Sequence, residues 1–219
     1  MAHRIRIWDW PVRLTHWALA LCIAGLYATG EYGWLTMEWH FRFGYAALAL
    51  VVFRILWGFI GSEHARFVDF VRGPGAIAAY VKSLLAPTSA PSVGHSPLGA
   101  LAVVALLALT LFQAVTGLFS SDQIEAFGPL SERISASLSD DLTDWHELGQ
   151  QILLIFIAIH VLAVLGYLFF KRENLIAPMF HGHKILDGKD ARWGSSWLAL
   201  VLFALCAGAV WAITVFGPP

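Results

Sequence analysis

The stretch Trp145-His146-Glu147-Leu148-Gly149-Gln150-Gln151-Ile152-Leu153-Leu154-Ile155-Phe156-Ile157-Ala158-Ile159-His160-Val161 decides how this chain is read. It belongs to an apolar run from Trp145 to Phe170 and carries two histidines 14 residues apart. Fourteen residues are close to four turns at 3.6 per turn, so both imidazoles lie on nearly one helix face. At 1.5 Å per residue they stand roughly 21 Å apart along the axis, inside a hydrocarbon core about 30 Å thick. One helix thus offers an imidazole near each membrane surface, and each needs a partner at its own depth.

Composition points the same way. The 219 residues are 58% hydrophobic and 13% charged, with a mean hydropathy of +0.67. A soluble domain of this length needs more charge to cover its surface. The two cysteines, Cys22 and Cys206, sit in apolar runs and read as small packing residues. There is no Cys-x-x-Cys-His, so a haem would be held without thioether links. Arg4, Arg6 and Arg13 before the first apolar run suggest a signal peptide, but no small-residue cleavage site follows, and the run is read as a retained span.

Five segments meet the length rule for spanning helices: Leu14 to Gly33, Phe41 to Ile60, Leu98 to Phe119, Trp145 to Phe170 and Ser196 to Phe216. The expected fold is all-α and integral to the membrane, because lipid cannot satisfy open backbone groups. Pro74, Pro87, Pro91 and Pro97 break up the loop at 61–97, and Ile77 to Leu85 within it is a candidate interfacial helix. Eleven of the 14 basic residues flank one side: Arg4, Arg6, Arg13, Arg66, Arg72, Lys82, Lys171, Arg172, Lys184, Lys189 and Arg192. Only Arg42 and Arg133 flank the other, with Arg54 inside a span. The positive-inside rule then puts the N-terminus in the cytoplasm and, with an odd number of spans, the C-terminus outside.

The outer side is acidic: Glu31, Glu38, Asp122, Glu125, Glu132, Asp140, Asp141, Asp144 and Glu147. The plain reading is a solvated face; the sharper one is a docking surface for a basic redox protein such as a c-type cytochrome. Lipid is the expected surrounding partner, and no nucleic-acid partner is expected.

Sorted by depth, the histidines form two pairs. His40 ends the second span on the outer side, level with His146. His16 lies a turn inside the first span, level with His160. Two bis-imidazole sites stacked across a bilayer describe two non-covalent b-type haems, six-coordinate and suited to electron transfer. A single intramembrane histidine is as easily a hydrogen-bonded core residue, but four at two matched depths are hard to explain that way. Metal transport would want carboxylates among them, and these lie at the surfaces. His64 and His95 lie outside the apolar runs as weaker rivals to His16. His181 and His183 read as part of a solvated connector.

Arg54 follows His40 by 14 residues, which places it on the same face at the inner depth, where a guanidinium can pair with haem propionates. The competing explanation is snorkelling to the interface. Arg13, three residues before His16, could serve similarly. Gln113 and Thr116 on the third span read as helix-packing residues, with a haem or quinone pocket as the alternative. Tryptophans such as Trp8, Trp10, Trp17, Trp34, Trp39 and Trp145 cluster near span ends, as interface anchors do.

Several motifs in order resemble the bacterial cytochrome b561 family, which includes the b-type cytochrome subunits of nickel–iron hydrogenases. They are Trp8-Asp9-Trp10-Pro11-Val12-Arg13-Leu14-Thr15-His16-Trp17, Phe53-Arg54-Ile55-Leu56-Trp57-Gly58 and Gly61-Ser62-Glu63-His64-Ala65-Arg66-Phe67. Gly94-His95-Ser96-Pro97-Leu98-Gly99, Thr116-Gly117-Leu118-Phe119 and Arg172-Glu173-Asn174-Leu175 continue the series. The resemblance covers about Arg6 to Lys184. It departs at His181-Gly182-His183-Lys184, where a plainer small-residue turn is usual.

What the resemblance implies is a four-helix haem-binding domain over 1–185 plus an additional transmembrane helix over 186–219. Its ligand pattern falls on His16, His40, His146 and His160. Such proteins conduct electrons between an outer-side partner (a hydrogenase, another dehydrogenase or a c-type cytochrome) and the quinone pool. Single-subunit members implicate a small partner such as superoxide, which leaves a self-contained quinone oxidoreductase as the alternative. A quinone site is expected near the inner haem.

Overall fold

The computed structural model describes residues 3–84, 93–124 and 126–216. Leu85, Pro87, Pro91 and Glu125 lie outside the described residues. The elements, in chain order, are β1 (His3–Arg6), α1 (Trp10–Gly30), α2 (Met37–Ile60), α3 (Phe67–Phe70), α4 (Pro74–Leu84), α5 (Pro97–Phe119), a 3₁₀ turn (Ser131–Arg133), α6 (Ala136–Phe169), α7 (Ile176–His181), β2 (His183–Leu186) and α8 (Ser196–Phe216). Among the described residues, α1, α2, α5, α6 and α8 are long and apolar enough to cross a membrane. The five anticipated spans are therefore present, and the protein is a multi-pass membrane protein. Leu21, Leu162 and Leu205 are each about two-thirds exposed or more, as expected of helices whose solvent is lipid.

Three helices start four or more residues before their expected bounds, α1 at Trp10, α2 at Met37 and α6 at Ala136, and for α1 and α6 the reason is visible. α1 starts four residues early because the Asp9 carboxylate accepts the backbone N–H of Val12 at 2.9 Å, an N-cap, with Pro11 in the first turn, where its missing N–H costs nothing. α6 starts at Ala136 rather than Trp145. Its 34 residues span about 51 Å, longer than the hydrocarbon core. The extra turns carry exposed Asp140, Asp141 and Asp144, which a hydropathy criterion passes over.

The described residues form two compact units. The first comprises Met1–Leu14, Ile55–Leu106 and Phe156–Ala199. In it β1 and β2 pair antiparallel, Arg6 opposite His183, an addition to the all-α expectation. The Asp9 carboxylate, 3% exposed, also accepts Trp57 Nε1–H at 2.9 Å and the Ser62 hydroxyl. Ser62 in turn accepts the Gly194 N–H at 2.9 Å. A buried carboxylate is tolerable because donors surround it. The candidate interfacial helix is present as α4, joined to α6 by Tyr80 against Tyr167 and to the residues just after α6 by Lys171 Nζ donating to the Leu84 carbonyl at 3.2 Å.

The second unit comprises Thr15–Arg54, Leu107–Ile155 and Leu200–Pro219. Ala18, Leu19, Cys22 and Leu26 of α1 pack on Phe43, Ala47 and Leu50 of α2. Spacings of three and four residues on both helices place these groups on facing stripes. Cys22 and Cys206 are free thiols and buried, as packing residues are.

Candidate functional site

The site is clearest in the second unit, where α1, α2, α5 and α6 each present one part of it. His40 stands near the start of α2 and His146 in α6, with ring centroids 6.5 Å apart and planes at 71°. Each imidazole is backed by a threonine. Thr29 Oγ1 lies 3.1 Å from His40 Nδ1, and Thr116 Oγ1 lies 3.1 Å from His146 Nδ1. Both hydroxyls bond back to their own helix. Thr29 donates among the carbonyls of Gly25 (2.8 Å) and Leu26 (3.0 Å), and Thr116 among those of Phe112 (3.0 Å) and Gln113 (3.1 Å).

The residue after each threonine is a glycine, and each is a close approach. A Cβ on Gly30 would meet His40 Cε1 at 3.0 Å, and one on Gly117 would meet His146 Cε1 at 2.8 Å. A side chain there would occupy the space of the imidazole. Gln113 adds a third tie, its amide donating to the His146 carbonyl at 2.7 Å. Gln113 and Thr116 do pack α5 on α6, as expected, and the residue they pack on is His146.

The rest of the histidine constellation is distributed as follows. His16 is half-buried on α1 with its ring edge-on to Trp17, 5.0 Å between centroids. It falls in the second unit; His160, half-buried on α6, falls in the first. Arg54 is only 5% exposed, which argues against snorkelling to the interface. Arg13 donates from Nη1 to the Phe180 carbonyl, while its buried Nε has no hydrogen-bond partner among the described residues. That leaves a guanidinium donor open to an anionic group.

In the first unit the His95 ring packs on Trp8 (4.6 Å) and Phe70 (4.4 Å), and His64 lies 6.2 Å from Trp8. Trp8 is therefore a core contact, unlike exposed Trp34 and Trp145. Burial holds the His64 pKa below its ordinary value, against the opposing charges of Glu63 and Asp69. His181, exposed, ends α7, and His183 begins β2 and donates its backbone N–H to His181 Nδ1. No cluster of three or more metal-ligating side chains is present among the described residues.

Could the paired imidazoles hold an iron between them? Two rings bound through Nε2 at metal–nitrogen distances of about 2 Å have centroids roughly 6–6.5 Å apart, and the observed 6.5 Å agrees. The ring separation, the Nδ1 atoms held by threonines and the cradling glycines all fit a bis-imidazole haem site. The model of prokaryotic cytochrome b561 matches residues 7–182. The chain belongs to the prokaryotic cytochrome b561 family. Its relatives within that description include the probable Ni/Fe-hydrogenase B-type cytochrome subunit of Azotobacter chroococcum mcd 1, 28% identical over 86% of this chain and 90% of that one. The subunit of the same description from Cupriavidus necator is 26% identical over 81% and 86%. The probable Ni/Fe-hydrogenase 1 B-type cytochrome subunit of Escherichia coli K12 is 24% identical over 81% and 89%. No solved structure matches this cytochrome b561 chain.

Thr29, Gly30 and Asp9 are the residues that sequence reasoning passed over. Thr29-Gly30 repeats the Thr116-Gly117 dipeptide, and that repetition was the available signal.

Proposed function

We propose that this cytochrome b561 chain is a di-haem electron conduit of the bacterial cytoplasmic membrane, linking an outer-side redox partner to the quinone pool. The observation that carries the proposal is the His40–His146 pair, 6.5 Å between rings with a threonine behind each Nδ1. His40 and His146 would hold the outer haem. His16 and His160 would hold the inner one, on the strength of matched depth and the 14-residue phase from His146. Residues 1–185 would form the di-haem domain and 186–219 an added helix.

A b-type haem, when bound, supplies a one-electron couple that needs no open coordination position. The remaining work is done by the chain. The four histidines ligate, Thr29 and Thr116 orient, and Arg54 and Arg13 offer guanidinium charge to propionates. The apolar helices keep bulk water away. Relatives named as hydrogenase cytochrome subunits, covered over most of their length, favour a hydrogenase as the partner, and the exposed outer carboxylates give a basic protein such as a c-type cytochrome a surface to approach. The N-terminus would be cytoplasmic, with quinone bound near the inner haem.

The test is a pyridine haemochrome assay on the purified chain. The expected ratio is two type-b haems per chain, falling to one in His146→Ala and one in His160→Ala. A haem-free chain from haem-replete cells would overturn the proposal.

A further inference from the structure

The Thr-Gly dipeptides of α1 and α5 are copies of one device. Each threonine bonds back to carbonyls three and four residues earlier, Leu26 and Gly25 on α1, Gln113 and Phe112 on α5. Each presents its oxygen to an Nδ1 at 3.1 Å. On α1 the carbonyl three residues before the threonine faces the same ring, Leu26 O lying 3.1 Å from His40 Nδ1. The following glycine in each case lets the ring approach the helix backbone.

A hydroxyl has one proton, and here the helix carbonyls take it, so the oxygen is left as an acceptor. A carbonyl can only accept. His40 Nδ1 faces both and must carry the ring proton, and His146 Nδ1 faces a Thr116 oxygen whose own proton goes to the Phe112 and Gln113 carbonyls, which leaves it the donor as well. That selects the tautomer whose Nε2 is unprotonated and able to bind iron. Donating from Nδ1 also gives the ring more anionic character and makes Nε2 a stronger donor to the metal.

We propose that Thr29 and Thr116 are matched positioning residues that fix the tautomer of His40 and His146 and thereby lower the reduction potential of the outer haem. The inference rests on the assignment of those histidines as outer ligands. A stronger donor pair stabilises ferric over ferrous iron, so weakening it must raise the potential.

The experiment titrates both haem midpoints in the purified full chain. Variants are Thr29→Val, Thr116→Val, the double variant, Thr29→Ser and Thr116→Ser. Thr110→Val serves as the control, since Thr110 is a buried threonine on α5. Each valine should shift one midpoint upward, by on the order of tenfold in the reduction equilibrium, or about 59 mV for one electron. The other midpoint should stay in place. Serine variants and Thr110→Val should match wild type, and the double variant should exceed either single. Loss of one haem from the valine variants but not from serine or Thr110→Val would support the same role at the level of affinity. Unmoved midpoints with two haems retained would overturn the inference alone, as would serine shifting as far as valine. If His146→Ala keeps both haems, the ligand assignment itself fails, and this inference with it.

Discussion

Replacing Gly117 with alanine puts a methyl carbon 2.8 Å from His146 Cε1 and 3.3 Å from its Nδ1. Carbon atoms rest at about 3.5–4.0 Å, so the ring must retreat by roughly 0.7 Å or more. The ring cannot do so freely: Thr116 holds Nδ1 at 3.1 Å, and Gln113 holds the backbone carbonyl at 2.7 Å. Overpacking of this kind costs about 1–3 kcal/mol. If that strain falls on the ligand position, haem affinity at the outer site drops roughly 5- to 150-fold, at 1.4 kcal/mol per factor of ten. The assay is haem content after purification, followed by haem titration of the depleted chain. Gly117→Ala is expected to fall from two haems towards one, with Gly30→Ala, at 3.0 Å from His40, affected less. Gly166 and Gly208 supply the controls, because a Cβ there meets nothing within 4 Å. Alanine at those helical positions should be neutral or stabilising by about 0.5–1 kcal/mol. Full haem content and wild-type affinity in Gly117→Ala would refute the reasoning.

Asp9→Ala removes a cap and the buried acceptor of the Trp57 and Ser62 donors, together about 3–5 kcal/mol. Its thermal midpoint in detergent should fall by about 6–20 °C, and a shift under 2 °C would contradict that role. Arg54→Leu removes a buried positive charge, so under the proposed di-haem arrangement the inner haem's midpoint should fall and quinone reduction should slow; neither changing would dismiss the arginine. Arg6, through its backbone N–H and then its guanidinium, holds the Asp190 carboxyl below its ordinary 3.8. A depressed carboxylate stabilises the fold above the ordinary value and loses that contribution as pH falls through the lowered one. Asp190→Asn should therefore be less stable than wild type at pH 6, and thermal melts should show the gap closing below about pH 4.

The spans were legible because lipid imposes a length and an apolarity that few other structures need, and all five segments appear as helices. His40 and His146 could be set level because each stands at the outer end of its span, and the structure brings their rings to 6.5 Å. What hydropathy could not reach were residues whose meaning depends on a neighbour far along the chain. Asp9 looks like a soluble-side carboxylate until Trp57 and Ser62 are placed around it. Thr29 looks like any tolerated polar residue at a span end until His40 arrives from the next helix. β1 and β2 are four residues each, too short for a periodicity to declare itself. The early start of α6 was hidden because its first turns are charged, and hydropathy marks the lipid rather than the helix.

The pairing of His3–Arg6 with His183–Leu186 also sets an order of events during synthesis. About 180 residues separate the partners, so at roughly 5–20 residues per second the first strand waits some 9–36 s for its complement. By then the fourth span has been synthesised, and the leading segment has gone without its mate. The nascent chain is thus fastened by its beginning only after nearly everything between has been made. A ribosome stalled before residue 183 would yield a chain whose first strand has no second strand to join.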